Sequence, residues 1–246
     1  MTTDPIGYTG NMPVLGLIFP PSSRGIPEEG VAMYGDALRF VVTGLGIERM
    51  TPASFDAALG RIPAAAEQLA AAGADAIELT GTSLTFYKGE AFNQQLCELV
   101  RRASGLEATT MSNGVIDALR AVGARRIAVA TAYNDEVNER LRLFLLEHEL
   151  EPVVITGMGL EAMDDVHNMV QQRVLEFCTH AHASTPGADA LLVSCGGLRT
   201  LEIIAPLEAA TGVPVVSSMP HGLWAGARLA GLSGAAPGYG RLLSRR

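Results

Sequence analysis

Aromatic side chains are scarce in this 246-residue chain: one tryptophan, five tyrosines and seven phenylalanines. With 18 lysines and arginines against 26 aspartates and glutamates, the formal net charge is −8. Nucleic-acid binding rests on basic surface and aromatic stacking platforms, so that class is not expected. Cysteine is rare too. Three cysteines, an odd number without metal-ligand spacing, argue against a disulfide framework or a structural zinc site and fit a reducing compartment. No GxGxxG follows the first apolar run and no GxxxxGK[ST] occurs anywhere, which removes the usual glycine loops for nucleotides. By elimination, neither cofactor nor metal is expected. The longest apolar runs, such as Val14 to Phe19 and Ala188 to Val193, are strand length and far short of the ~20 residues of a membrane span. Met1 to Met12 lacks the basic-then-apolar pattern of a secretory signal. The expectation is a cytoplasmic protein, monomeric or a small homo-oligomer, with no nucleic-acid or membrane partner.

What the sequence does have is a repeated unit. Asp189 to Leu198, DALLVSCGGL, is an apolar run that breaks into a polar turn carrying Cys195, followed by Gly196 and Gly197. Such a run reads as a buried parallel strand, and in open α/β sheets ligands sit just beyond the carboxyl ends of strands. Gly73 to Ser83, GADAIELTGTS, has the same frame as Gly187 to Gly197, GADALLVSCGG. Two further pairs recur in the same order: Val14 to Phe19 with Arg126 to Ala132, and Ser104 to Ser112 with Thr211 to Ser218. The fold class that follows is α/β, two similar Rossmann-like half-domains related by duplication. Each is a small parallel sheet flanked by helices, and the active site is expected in the cleft between them. The first half is placed at residues 1–112 and the second at 113–218, with the terminal segment 219–246 packing back on the first.

Strands are also expected at Leu38 to Val42, Leu106 to Met111 and Val153 to Thr156. Thr51 with Pro52 caps a helix to Gly73, kinked at Pro63. Further helices are predicted over Gly89 to Ala103, from a Ser112 cap to Gly123, from Asn134 or Asp135 to Glu149, and from Asp164 or Asp165 to Ala181. Thr200 to Ala210, interrupted at Pro206, and Gly222 to Leu232 complete the set. The glycine-rich, basic tail from Gly234 is assigned to the surface. Cys97 and Cys178 fall inside helices and read as inert core, while His180 and His182, two apart, do not share a helical face.

Several blocks together resemble the aspartate/glutamate racemase superfamily and, within it, the arylmalonate decarboxylases. They are Pro20-Pro21, Thr43-Gly44-Leu45-Gly46, Gly81 to Tyr87, Thr131-Ala132-Tyr133 with Asn138-Glu139-Arg140, Glu161-Ala162-Met163, Ser194 to Leu198, and Pro237 to Leu242. Racemases and maleate isomerases of this superfamily carry one cysteine in each turn. Here the first turn reads Gly81-Thr82-Ser83. Exchange of a proton between two faces needs two acid/base groups, whereas one thiol can protonate one face of a carbanion made by another route, such as loss of CO2.

The resemblance implies a small dicarboxylic acid substrate, a malonate, decarboxylated without a cofactor. One carboxylate is held by the Thr82 and Ser83 hydroxyls, the Tyr133 phenol and backbone amides at Ser83 and Gly196, donors that stabilise an enediolate as CO2 leaves. The pocket is expected to take Pro20, Pro21, Gly81 and Gly197, with Ile47, Met50, Leu84, Leu160 and Met163 around the departing group. Cys195 is the expected proton donor. A free thiol titrates near ~8.5 and apolar surroundings raise that value. His221 is the sole candidate near a strand end for activating Cys195 as a nucleophile instead. Two other readings stay open: a one-cysteine isomerase or racemase of a small carboxylic acid, and an inactive carboxylate-binding protein.

Overall fold

The computed structural model describes residues 12–22 and 25–245; the leader 1–11, read above as lacking a secretory signal, lies outside them. Two four-stranded parallel sheets form the frame. β1 (Val14–Phe19), β2 (Arg39–Gly44), β3 (Ala76–Leu79) and β4 (Glu107–Thr110) are ordered β2-β1-β3-β4. β5 (Arg126–Thr131), β6 (Glu151–Gly157), β7 (Ala190–Ser194) and β8 (Val215–Ser217) are ordered β6-β5-β7-β8. The second order repeats the first strand for strand. The central strands β3 and β7 are buried along their whole length, which explains why neither reads as alternation: β7 is apolar up to Ser194, and β3 is apolar but for Glu78.

Helices flank both sheets. The first half contributes α1 (Glu28–Tyr34), α2 (Pro52–Ala58), α3 (Ile62–Ala71), α4 (Thr82–Phe86), α5 (Glu90–Ser104) and α6 (Met111–Ala121). The second contributes α7 (Asp135–Glu147), α8 (Met163–His167), α9 (Gln171–Ala183), α10 (Leu201–Thr211) and α11 (Ser218–Leu229). In each sheet the chain leaves the first strand toward one edge and returns on its other side, so the order reverses between β1 and β3 and between β5 and β7. A crevice opens at such a reversal, beyond the strands' carboxyl ends. Pro20 and Gly81 occupy the first crevice, and Tyr133 and Cys195 occupy the second.

Local readings that the structure corrects have local causes. Pro63 does not kink one helix. It is the second residue of α3, after a 3-10 turn at Leu59–Arg61, where its missing N–H needs no partner. The helix expected to Ala181 is two helices, α8 and α9, separated at residues 168–170. Thr110, not Ser112, caps α6 by accepting from the Asn113 amide, which leaves the Ser112 hydroxyl inside the first turn to bond Thr82 O and the Thr85 hydroxyl. Pro206 lies within a continuous α10. The last helix begins at Ser218, four residues before Gly222. The tail is not merely surface: Ala236, Leu242 and Leu243 are buried.

Three contacts tie the halves together around the crevices. α11 follows the last strand of the second sheet yet lies against α6, β3 and β4 of the first. Arg49 and Ala162 form an isolated antiparallel bridge, with the Met50 amide donating to Glu161 O (2.8 Å) and the Met163 amide to Glu48 O (3.0 Å), reinforced by an Arg49–Glu161 ion pair. The Glu29 carboxylate accepts from the amides of Thr200 and Leu201 at 2.8 Å each, and Arg199 pairs with Glu28.

Candidate active site

A cleft of about 220 Å³ lies where the two crevices meet. Its floor is made by the turns after β3 and β7: Thr80, Gly81, Thr82 and Ser83 from one, Cys195, Gly196, Gly197 and Leu198 from the other. Phe19, Pro20, Pro21, Ile26, Pro27, Met50, Met163 and Met219 give it mostly apolar walls. Glu28, Glu29, His167 and Arg199 also line it, Arg199 being paired with Glu28.

The hydroxyls form a buried chain that spans both halves. Thr82 Oγ1 is 2.8 Å from the Tyr133 hydroxyl and 3.2 Å from Ser218 Oγ, and the Tyr133 hydroxyl is 3.3 Å from Ser194 Oγ. Ser83 also reaches the Tyr133 hydroxyl. Tyr133 is buried behind Thr82 rather than exposed in the cleft. Burial holds its pKa well above the ordinary tyrosine value, with the neighbouring Cys195 acting in the same direction, so the phenol keeps its proton as a donor must. Gly157 lets this loop close: a Cβ there would stand 2.4 Å from both Tyr133 O and Asn138 Nδ2. Ser83 is the second residue of α4, and a first-turn amide has no acceptor within its own helix.

Cys195 is 5% exposed. Burial pushes its thiol up to about 11, against the smaller opposing pull of the Gly197 amide, the Tyr133 hydroxyl and the Leu198 amide. Its backbone N–H donates to Ser218 Oγ (3.2 Å) and its thiol to Met50 Sδ (3.7 Å). His221 does not serve it. The ring is fully buried, burial pushes it down to about 4, and its Nδ1 lies 2.9 Å from both the amide and the carbonyl of Ser217. Cys97 donates to Ala108 O, and burial pushes Cys178 up to about 12; neither lines the cleft.

The structure thus brings together Pro20, Pro21, Met50, Gly81, Thr82, Ser83, Met163, Cys195, Gly196 and Gly197 around one cleft, with Tyr133 directly behind. It does not bring Ile47, Leu84 and Leu160 to the cleft surface: Ile47 and Leu84 are buried in the core, and Leu160 packs against that core with its amide on Ala132 O. Sequence reasoning missed Phe19, Met219, His167, Ser194 and Ser218. The two serines stand at strand ends, Ser194 immediately before Cys195, and that adjacency was the available signal.

A family model described as arylmalonate decarboxylase matches residues 15–243. The chain belongs to the arylmalonate decarboxylase family. Arylmalonate decarboxylase of Bordetella bronchiseptica is 44% identical over 231 residues, 94% of this chain and 96% of that protein. Among solved structures, a liganded arylmalonate decarboxylase carrying a glycine-to-cysteine and a cysteine-to-serine substitution superposes with a TM-score of 0.91. It is 42% identical and covers 94% of this chain and 99% of its own. A maleate isomerase from Pseudomonas putida S16 shares the fold at 22% identity, with a TM-score of 0.84 and coverage of 94% and 98%. Membership of the arylmalonate decarboxylase family makes this chain an enzyme, a carboxy-lyase. Among the described residues, no helix is long and apolar enough to cross a membrane, and no group of three or more His, Cys, Asp or Glu side chains is placed to hold a metal.

Proposed function

We propose that the enzyme decarboxylates 2-aryl or 2-alkenyl malonates, without a cofactor, to one enantiomer of the monocarboxylic acid. One carboxylate binds the Thr82 hydroxyl, which Tyr133 bonds from behind, the Ser83 hydroxyl and amide, and the Gly196 amide. The other lies against the apolar wall near Met50 and Met163, where an anion is poorly solvated. The bond from C2 to this second carboxylate breaks, CO2 leaves, and the electron pair passes into the bound carboxylate as an enediolate. Donors already aimed at those oxygens stabilise the growing charge, an effect worth ~10²–10³ in rate per donor. The Cys195 thiol then gives its proton to C2 from its own face, and the resulting thiolate is reprotonated by water.

The observation that carries this reading is the asymmetry of the two turns on one cleft: a protonated thiol at Cys195 and no side chain at Gly81. A two-face exchange lacks its second acid there. The test is a panel of malonates scored for CO2 and for product chirality. CO2 release from phenylmalonate with enantioenriched product from its 2-methyl homologue is expected. Solvent deuterium entering a monoacid without CO2 would replace the proposal with a one-cysteine isomerase or racemase, and carboxylate binding with neither reaction would leave a binding protein.

A further inference from the structure

Ser218 stands where the two turns meet. It is fully buried, opens α11, and is the first residue after the second sheet's last strand. Its Oγ accepts the Cys195 N–H at 3.2 Å and lies 3.2 Å from Thr82 Oγ1. A hydroxyl carries one proton and two acceptor positions. With one acceptor position taken by an amide that can only donate, the Ser218 proton is free to go to Thr82.

That assignment sets the direction of the chain beyond it. Thr82 Oγ1 and the Tyr133 hydroxyl, 2.8 Å apart, share one proton between them. If Ser218 donates to Thr82 and Tyr133 does the same from behind, both acceptor positions of Thr82 Oγ1 are filled, and Thr82, which lines the cleft, presents its own proton to a carboxylate, which can only accept. If Ser218 is removed, Thr82 loses that incoming bond. Thr82 can then turn its own proton back onto Tyr133, and the cleft loses a donor.

Building on the proposed decarboxylation, we infer that Ser218 is a positioning residue: its hydroxyl polarises the Thr82–Tyr133 pair toward the bound carboxylate. Because it acts through Thr82, its loss should cost less than the ~10²–10³ of deleting a direct oxyanion donor, about 10- to 50-fold in kcat.

The experiment compares Ser218→Ala, Ser218→Cys and Ser218→Thr with the unaltered enzyme on phenylmalonate, alone and combined with Thr82→Val. Ser218→Ala and Ser218→Cys should lower kcat by about 10- to 50-fold while KM rises no more than about threefold, and Ser218→Thr, which keeps the hydroxyl, should recover most of the loss. On Thr82→Val, Ser218→Ala should add less than about a twofold further loss, since coupled residues are not additive. Full activity in Ser218→Cys, or a loss that multiplies unchanged on Thr82→Val, overturns the inference. Should Ser218→Ala fail to fold, Ser218→Cys against Ser218→Thr decides by the same criterion. Phenylacetate binding by calorimetry separates this inference from its parent. If the unaltered enzyme released no CO2, the decarboxylation reading would fail, while weaker phenylacetate binding in Ser218→Ala restored by Ser218→Thr would sustain the role of Ser218, and equal binding in both would end it.

Discussion

The thiol of Cys195 donates to the thioether of Met50, with 3.7 Å between the two sulfurs. A thioether is a weak acceptor and carries no charge, so Met50 orients the thiol without favouring its ionisation. The contact joins the Cys195 turn of the second half to Met50 of the first, beside the bridge that Glu48 to Met50 make with Glu161 to Met163 of the second half. The thiol proposed as proton donor therefore sits beneath the apolar wall proposed for the departing carboxylate.

The pH dependence follows from burial of that thiol. Its pKa is pushed up to about 11, so the protonated form, the active one in the proposed mechanism, persists through neutral and mildly alkaline pH and is lost only as pH rises toward that value. Turnover should show no Cys195-linked decline between pH 7 and 9. Iodoacetamide should alkylate Cys195 slowly at pH 7, with a rate that climbs steeply above pH 9. An alkylation midpoint at or below pH 8 would mean that the thiol is activated, contrary to a proton-donor role.

Proton donation and carboxylate binding can be separated by two substitutions. Cys195→Ala removes the proton source and leaves the hydroxyl chain in place, so kcat should fall by ~10²–10⁴ with a much smaller change in KM. Tyr133→Phe takes one hydroxyl out of that chain and should lower kcat by up to ~10²–10³ while product chirality, which the proposal assigns to Cys195, is retained. Full turnover and selectivity in Cys195→Ala would remove the basis of the mechanism.

β1, β5 and β7 could be read from the chain because a strand buried on both faces is a nearly continuous apolar run, and the turns after β3 and β7 announce themselves with small and polar residues. Thr82, Ser83 and Cys195 could be named for the same reason: a strand end fixes their place. Ile47, Leu84 and Leu160 were misplaced relative to the cleft because an apolar residue in a loop or short helix faces core or cleft according to tertiary contacts. Ser218 acts on Thr82 from 136 residues away and on Cys195 from 23. No local pattern carries a contact of that kind. The breaks before α3 and α9 were blurred because the apolar spacing continues across them.

Moving the thiol to the other face is constrained by Pro20. Gly81 has φ +89, and a Cβ built on it would lie 2.2 Å from Pro20 Cγ. Gly81→Cys combined with Cys195→Ser should give the opposite enantiomer, but at a rate reduced by more than ~10², because the left-handed backbone and the proline ring both resist the new side chain. The variant should also melt several degrees below its parent, and adding Pro20→Ala should recover part of that loss. Chiral chromatography and calorimetry together decide it; an active double variant with unchanged product configuration would contradict the facing-turn geometry.

The last prediction concerns Glu78, on β3 just behind the Thr82 turn. It is fully buried, neither carboxylate oxygen has a hydrogen-bond partner, and its carboxyl lies against α11 where Gly222 and Gly226 leave room. Burial pushes its pKa up to about 8 from an ordinary value of 4.5. The folded protein therefore holds this proton where the unfolded chain has released it. The stability this group contributes is complete below pH 4.5 and is lost progressively as pH rises to about 8. Each pKa unit is worth about 1.4 kcal/mol, so the effect across that window is on the order of a few kcal/mol. Buried His221, pushed down to about 4, works in the opposite sense: its contribution is present above its ordinary pKa of 6.5 and is lost as pH falls toward 4. Glu78→Gln isolates the first term, because the neutral amide keeps the shape of the acid and cannot ionise. Denaturant melts at several pH values should show the variant gaining on the parent from pH 5 to pH 8, with the parent's alkaline decline flattened. A constant difference between the two proteins over that range would show that Glu78 does not titrate in the core.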